Sequence, residues 1–183
     1  TRVLRLPGEH ALAVRRFDRQ GSTRLHAVSA STLLRAATAQ GEEPQYGYPH
    51  LARRLRAMGN VQRLDEDLHD LFRRMVFNIL VSNDDDHLRN HGFTRDPRTQ
   101  GWGLSPLYDV VPRPGVAYER FLHLEVGLQG KLATLDNALS AYARFDLERL
   151  DGFLDAHLVA GGRHQLQIGT AEFDAEEIGR AHV

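Results

Sequence analysis

The sequence predicts an α+β protein, mainly α-helical, with one β-hairpin at its start and a second after its longest helix. Three stretches of the 183 residues carry that prediction. TRVLRL (1–6) and ALAVRRF (11–17) are apolar-rich runs separated by Pro7-Gly8-Glu9-His10, a turn composition. DEDLHDLFRRMVFNILVSN (65–83) spaces Leu68, Leu71, Phe72, Met75, Val76, Ile79 and Leu80 as i, i+3, i+4, the stripe of a helix with one buried face. HGFTR (91–95) and GWGLS (101–105) flank DPRTQ (96–100), the pattern of a second hairpin.

Between these elements the chain reads in order. DRQGSTR (18–24) is a polar connector. From about Ser29 the period becomes helical through Leu33, Leu34, Ala36 and Ala37, and GEEPQYGY (41–48) is a loop. Pro49 in a first turn, Leu51, Leu55 and Met58 on one face and Gly59 beyond them mark a short helix. Phe77 and Val81 widen the long helix's stripe, so its end is expected to be almost wholly buried. LHLEVGLQG (122–130) is a mixed apolar stretch. Asp136 starts a short helix through Ala143, and Asp146 another to about Ala160, stopped by Gly161-Gly162. Asp174-x-x-Glu177 resembles a capping box.

Twenty-three basic and 24 acidic residues are interspersed, the net charge is −1 and the pI about 6.8, so no global footprint for nucleic acid or an anionic membrane exists. The absence of cysteine excludes disulfides and thiolate metal sites and fits a reducing cytoplasm. No apolar run reaches the roughly 18 residues of a membrane-spanning helix. The chain opens on Thr1 and both methionines, Met58 and Met75, are internal, so the natural start is expected upstream.

The chemistry-bearing pattern is Asp85-x-His87-x-Arg89-Asn90, with Asp109 nineteen residues further on. A carboxylate and an amide five residues apart in one loop can face a common point. Phosphoryl transfer uses that: the carboxylate orients and deprotonates an accepting hydroxyl, and the Asn oxygen holds a metal on the phosphates. The protein-kinase catalytic loop has the same Asp-x-x-x-x-Asn spacing. A second carboxylate must reach the metal. If the hairpin turns near residues 98 and 99, paired residue numbers sum to roughly 197, which puts Asn90 opposite about Leu107 and hence near Asp109. The order hairpin, connector, helices, acidic loop, hairpin, Asp is that of a protein kinase from its fourth strand onward. Residues 1–17 then end the N-lobe sheet, 18–24 form the hinge, and 25–183 form a mostly helical, protein-kinase-like C-lobe.

RRFDR (15–19), YGYPHLA (46–52), RRMVFNILVSNDDDHLRNHGF (73–93), WGLSPLYDVVP (102–112) and LATLDNALSAYARF (132–145) resemble segments of the HipA family in the family's order. The resemblance implies a kinase-like fold that phosphorylates serine or threonine on a protein target with ATP and Mg²⁺. It also implies a toxin–antitoxin role beside a HipB-like partner that binds DNA itself. Carried over, it makes Asp85 the catalytic base and Asn90 and Asp109 the metal ligands. Arg15, Arg16 and Phe17 become the hinge whose backbone meets adenine, and His87, Leu88, Arg89 and Asn90 with Tyr108 and Asp109 line the nucleotide. The family's Gly-rich loop, its strand lysine and the regulatory serine of that loop are missing from these residues, so residues 1–183 alone are expected to bind ATP weakly or not at all.

Blander readings sit beside these. Asp84 and Asp86 are expected to be solvated or capping, Asn78 a satisfied core amide, Arg89 an ion-pair partner as readily as a phosphate contact, and Arg53, Arg54 and Arg56 an exposed helix surface. A metal-dependent hydrolase would need a second His or carboxylate cluster. A fragment or degenerate homologue that holds an antitoxin-like partner without turnover is the competing class.

Overall fold

The structure is a computed structural model that describes residues 2–38, 46–113 and 119–147, the side chains of 36–38 excepted. Thr1–Phe145 form one compact unit and Asp146–Val183 a second, almost all of it outside the described residues. The helix expected from Asp146 and the capping box at Asp174 therefore lie outside them. The described part is mixed α+β, with small sheets and four α-helices.

The first hairpin forms as expected, β1 (Arg2–Leu6) against β2 (Glu9–Ala13), with Val3 paired to Leu12. Its turn is Pro7-Gly8: the proline ring presets its own φ, and Gly8 takes φ 82°, the positive value a type II turn needs at its third position. The connector is not plain coil. β3 (Arg19–Gln20) and β4 (Thr23–Arg24) pair as a minimal hairpin around Gly21, whose φ is 61°.

A strand unexpected from the sequence follows, β5 (Ala27–Ser29). It pairs antiparallel with β6 (Gly92–Arg95), which pairs with β7 (Trp102–Leu104) to make a three-stranded sheet. The β6–β7 register is Phe93↔Leu104, Thr94↔Gly103 and Arg95↔Trp102, each pair summing to the expected 197, and Ser105 N–H still donates to the Gly92 carbonyl at 2.9 Å.

α1 (Ala30–Thr38) leaves β5 directly. α2 (Tyr48–Met58) starts with Pro49 in its first turn and ends at Gly59, burying Tyr48, Leu51, Ala52 and Leu55. α3 (Leu64–Leu80) buries the expected stripe from Leu68 to Ile79, and Phe72 meets Phe145 edge-on with centroids 5.2 Å apart. The end of α3 is less covered than its composition suggests. Leu80 is 38 % exposed and Phe77 only half-buried, because the helix stops three residues early and Ser82 turns the chain into the left-handed region at φ 56°. The expected 136–143 helix divides into α4 (Leu135–Leu139), N-capped by the Thr134 side chain, and a 3-10 turn at Tyr142–Phe145.

Two buried charged side chains of α3 fix the exit of β7. Asp67 accepts the Leu104 N–H at 3.1 Å and pairs with Arg63 at 3.0 Å. Arg74 pairs with Asp70 at 2.7 Å and donates to the Ser105 carbonyl. The segment carrying Tyr108 and Asp109 therefore leaves from an anchored point.

Candidate active site

α3 delivers residues 82–91 as a tight loop. Asn83 N–H donates to the Asn78 carbonyl, His87 N–H to the Asp85 carbonyl and Asn90 N–H to the His87 carbonyl, all at 2.9 Å. The loop is also tied to the N-terminus of α1, whose amides lack partners within their own helix: Ala30 N–H donates to His91 O at 2.8 Å and Ser31 N–H to Leu88 O at 3.2 Å.

Asp86 overturns the expectation of a solvated residue. It is 2 % exposed, accepts the Tyr48 hydroxyl on Oδ2, and lies 3.0 Å from His91 Nε2 through Oδ1. Asn78 Nδ2 donates to the Tyr48 oxygen at 2.9 Å and Asn83 Nδ2 to Asn78 Oδ1 at 3.0 Å, so Asn78 is the satisfied core amide the sequence suggested. Burial first, and then the neighbouring Asp86 carboxylate, push the Tyr48 hydroxyl well above its usual range and keep it a donor. A carboxylate this deep needs a partner, and the Tyr48 hydroxyl supplies one. Asp84 keeps the solvated role, exposed and 3.0 Å from Arg113.

Anchoring Asp86 leaves Asp85 exposed beside it. Asn90 is 5 % exposed, and its Nδ2 donates to the Asp85 backbone carbonyl at 3.1 Å, which closes the five-residue loop and leaves Oδ1 as the acceptor end of the amide. Tyr108 donates its hydroxyl to the Arg89 carbonyl at 2.7 Å, joining the segment after β7 to the loop one residue from Asn90. Burial, and secondarily Asp109, raise the Tyr108 hydroxyl and hold it protonated for that bond. Asp109 follows, exposed and at φ 57°, a region where aspartate is more at ease than most residues. Among the described residues neither the Asp85 nor the Asp109 carboxylate makes a hydrogen bond or ion pair.

The connector reaches the same place through Phe17, whose ring stacks on Tyr108 at 5.7 Å and 23°. Arg15 is exposed, and Arg16 pairs with Asp18, its Nε 2.8 Å from Oδ1. Arg89 is exposed, whereas Leu88 is buried, so its side chain packs inward. His87 meets His123 edge-on with centroids 5.9 Å apart, and its Nδ1 is buried with no hydrogen-bond partner among the described residues. Phe17, Arg89, Asn90 and Tyr108 are thus gathered around the loop that carries Asp85.

Sequence reasoning missed Tyr48, His91 and His123. Tyr48 and His123 lie in other segments, and nothing in the spacing around Asp86 advertises them. Chemically, the Asn90 amide in the loop and the exposed Asp109 carboxylate after β7 each carry hard oxygen donors, the ligand type Mg²⁺ takes. Among the described residues no group of three or more His, Asp or Glu side chains could hold a metal by itself, so the cluster a hydrolase would need is not found there.

The molecule is an α+β domain whose exposed aspartate sits in a loop locked to its core by a buried carboxylate. A family model, the HipA-like C-terminal domain, matches residues 1–165, and the chain belongs to that family. Comparison with curated proteins found no match. Among the described residues no helix is long and apolar enough to cross a membrane.

Proposed function

We propose that this chain carries the catalytic loop of an ATP- and Mg²⁺-dependent kinase that phosphorylates serine or threonine on a protein. The observation that supports it best is the loop itself. Asp85 is exposed, Asn90 is bonded to its carbonyl across the kinase spacing, and Tyr108 ties the Asp109 segment to Arg89, all within a HipA-family domain.

In this reading Asp85 orients the accepting hydroxyl and takes its proton as the oxygen attacks phosphorus. Asn90 Oδ1 and the Asp109 carboxylate hold the cation, which when bound neutralises charge building on the phosphates. The backbone of Arg15, Arg16 and Phe17 meets the adenine, with Phe17 braced on Tyr108. His87 and Arg89 face the phosphates, and Leu88 supports them from the core. Aspartate at a left-handed φ is the kind of constrained backbone that active sites hold, and it points the same way for Asp109. The wider role follows the family: a cytoplasmic toxin held by a HipB-like antitoxin, with DNA reached only through that partner.

The test is ATP consumption and target phosphorylation by the natural full-length protein. Asp85→Asn should abolish turnover while melting temperature and much of the nucleotide affinity remain. Asp109→Asn should also weaken Mg²⁺-dependent nucleotide binding, since it removes a charge from the cation's own shell. A fully active Asp85→Asn protein would remove Asp85 from the mechanism, and a natural protein that never consumes ATP would favour a partner-holding module.

A further inference from the structure

His87 is the pivot of the loop's backbone. Its N–H is held by the Asp85 carbonyl, and its own carbonyl holds the Asn90 N–H. The side chain is less tied. It is half-buried, and its Nδ1 is buried with no hydrogen-bond partner among the described residues, so no hydrogen bond at that nitrogen fixes the ring. What does meet the ring is His123, edge-on at 84° with centroids 5.9 Å apart.

His123 stands on a supported segment. Burial alternates from Phe121 to Leu124: Phe121 and His123 are exposed, whereas Leu122 and Leu124 are buried. Leu122 N–H donates to the Lys131 carbonyl at 2.9 Å, Glu125 N–H to the Tyr46 carbonyl at 3.0 Å, and Tyr48 N–H to the Glu125 carbonyl at 2.9 Å. Just before them Arg120 Nη1 donates to the Ile79 carbonyl at 3.3 Å and to Ser82 Oγ, which ties the segment to the turn that starts the loop. Leu122 and Leu124 supply the apolar packing here, so an exposed imidazole between them is not what holds the segment in place.

The His123 ring is thus offered to His87 from a backbone anchored on both sides. A perpendicular aromatic pair favours its own geometry beyond the area it buries. A side chain whose torsions have several staggered wells takes the one its firmest neighbour favours. We infer that His123 is a positioning residue for ATP binding, a role that rests on the kinase reading of the Asp85 loop. Its contact holds the His87 imidazole toward the nucleotide phosphates, and it acts on the reaction only through His87. Setting the ring in advance lowers the ordering cost of binding ATP, in the ground state and the transition state alike. Losing it therefore raises KM for ATP more than it lowers kcat.

The experiment measures ATP consumption against ATP concentration for the natural full-length protein, with a thermal melt of each variant. His123→Ala should raise KM for ATP about fivefold and change kcat by less than about twofold, the scale of one aromatic pair, with melting unchanged. His123→Gln, polar and without a ring, should match it, so either folded variant suffices. His123→Phe, which keeps a flat ring, should restore most of the loss. In a His87→Ala background, His123→Ala should add nothing, because two residues acting through one contact are not additive. A native KM in the ringless variants beside an inactive Asp85→Asn protein overturns the inference and leaves the kinase reading standing. So does a loss that His123→Phe shares in full, or one that persists in the His87→Ala background. A full-length protein that never consumes ATP, or a fully active Asp85→Asn variant, overturns the kinase reading and the role of His123 with it.

Discussion

The two longer hairpins among the described residues, β1–β2 and β6–β7, are built alike and situated oppositely. Val3 and Leu12 are cross-strand partners in the first, exposed by 61 % and 64 %. Phe93 and Leu104 are cross-strand partners in the second, exposed by 1 % and 5 %. The first has the longer ladder, five pairs against three, yet only the second is flanked by another strand, β5, and clamped from below by Asp67 and Arg74 of α3. Backbone pairing alone makes a marginal structure in water; a sheet contributes to stability through the apolar face it buries. In the described structure the second hairpin belongs to the core and positions Tyr108 and Asp109, while the first is a surface element.

The sharpest test of that contrast is Phe93→Ala, expected to destabilise by about 3–5 kcal/mol through lost burial and the cavity left behind, read from urea unfolding. A cost near that of a surface substitution would mean the second hairpin is no part of the core.

Tyr48→Phe extends the comparison to polar contacts. It removes the hydroxyl that donates to buried Asp86 and should cost about 1–3 kcal/mol, because a buried acceptor loses its partner while little volume changes. An unchanged unfolding midpoint would show that His91 alone supports the carboxylate.

Asp67 tests the clamp under the second hairpin by pH. Burial raises its folded affinity for a proton, partly offset by the Leu104 N–H and by Arg63 and assisted by Glu66 and Asp70. A carboxyl raised in the folded state contributes stability that is present in acid and lost as pH rises through the raised value. Asp67→Asn abolishes that dependence. The melting temperature of the variant minus that of the native protein should therefore become more positive from about pH 4 to pH 7. A difference moving the other way would mean the Arg63 pair outweighs burial.

The smallest effect is expected at the first hairpin. Val3→Ala should shift stability by less than about 0.5 kcal/mol, the usual range for an exposed position. A loss comparable to Phe93→Ala would show that something covers this hairpin in solution.

Periodicity and spacing along the chain by themselves determined the two main hairpins, the helices α2 and α3, the pairing of Phe93 with Leu104, and the loop that sets Asp85 five residues before Asn90. These are local matters: alternation, turn residues and a 3.6-residue repeat act over a few neighbours, so a linear reading captures them. β5 escaped it because three residues, Ala27–Ser29, carry too little pattern and become a strand only when β6 is there to pair with. Asp86 escaped it for a deeper reason. Of three consecutive aspartates, Asp84 meets an exposed arginine, Asp85 is exposed without a partner among the described residues, and Asp86 lies in the core. Nothing in the run distinguishes the last from the others; the distinction comes from Tyr48, 38 residues earlier, and His91. Whether a carboxylate is solvated or buried depends on which distant groups desolvate and satisfy it, and only the folded chain brings those groups together.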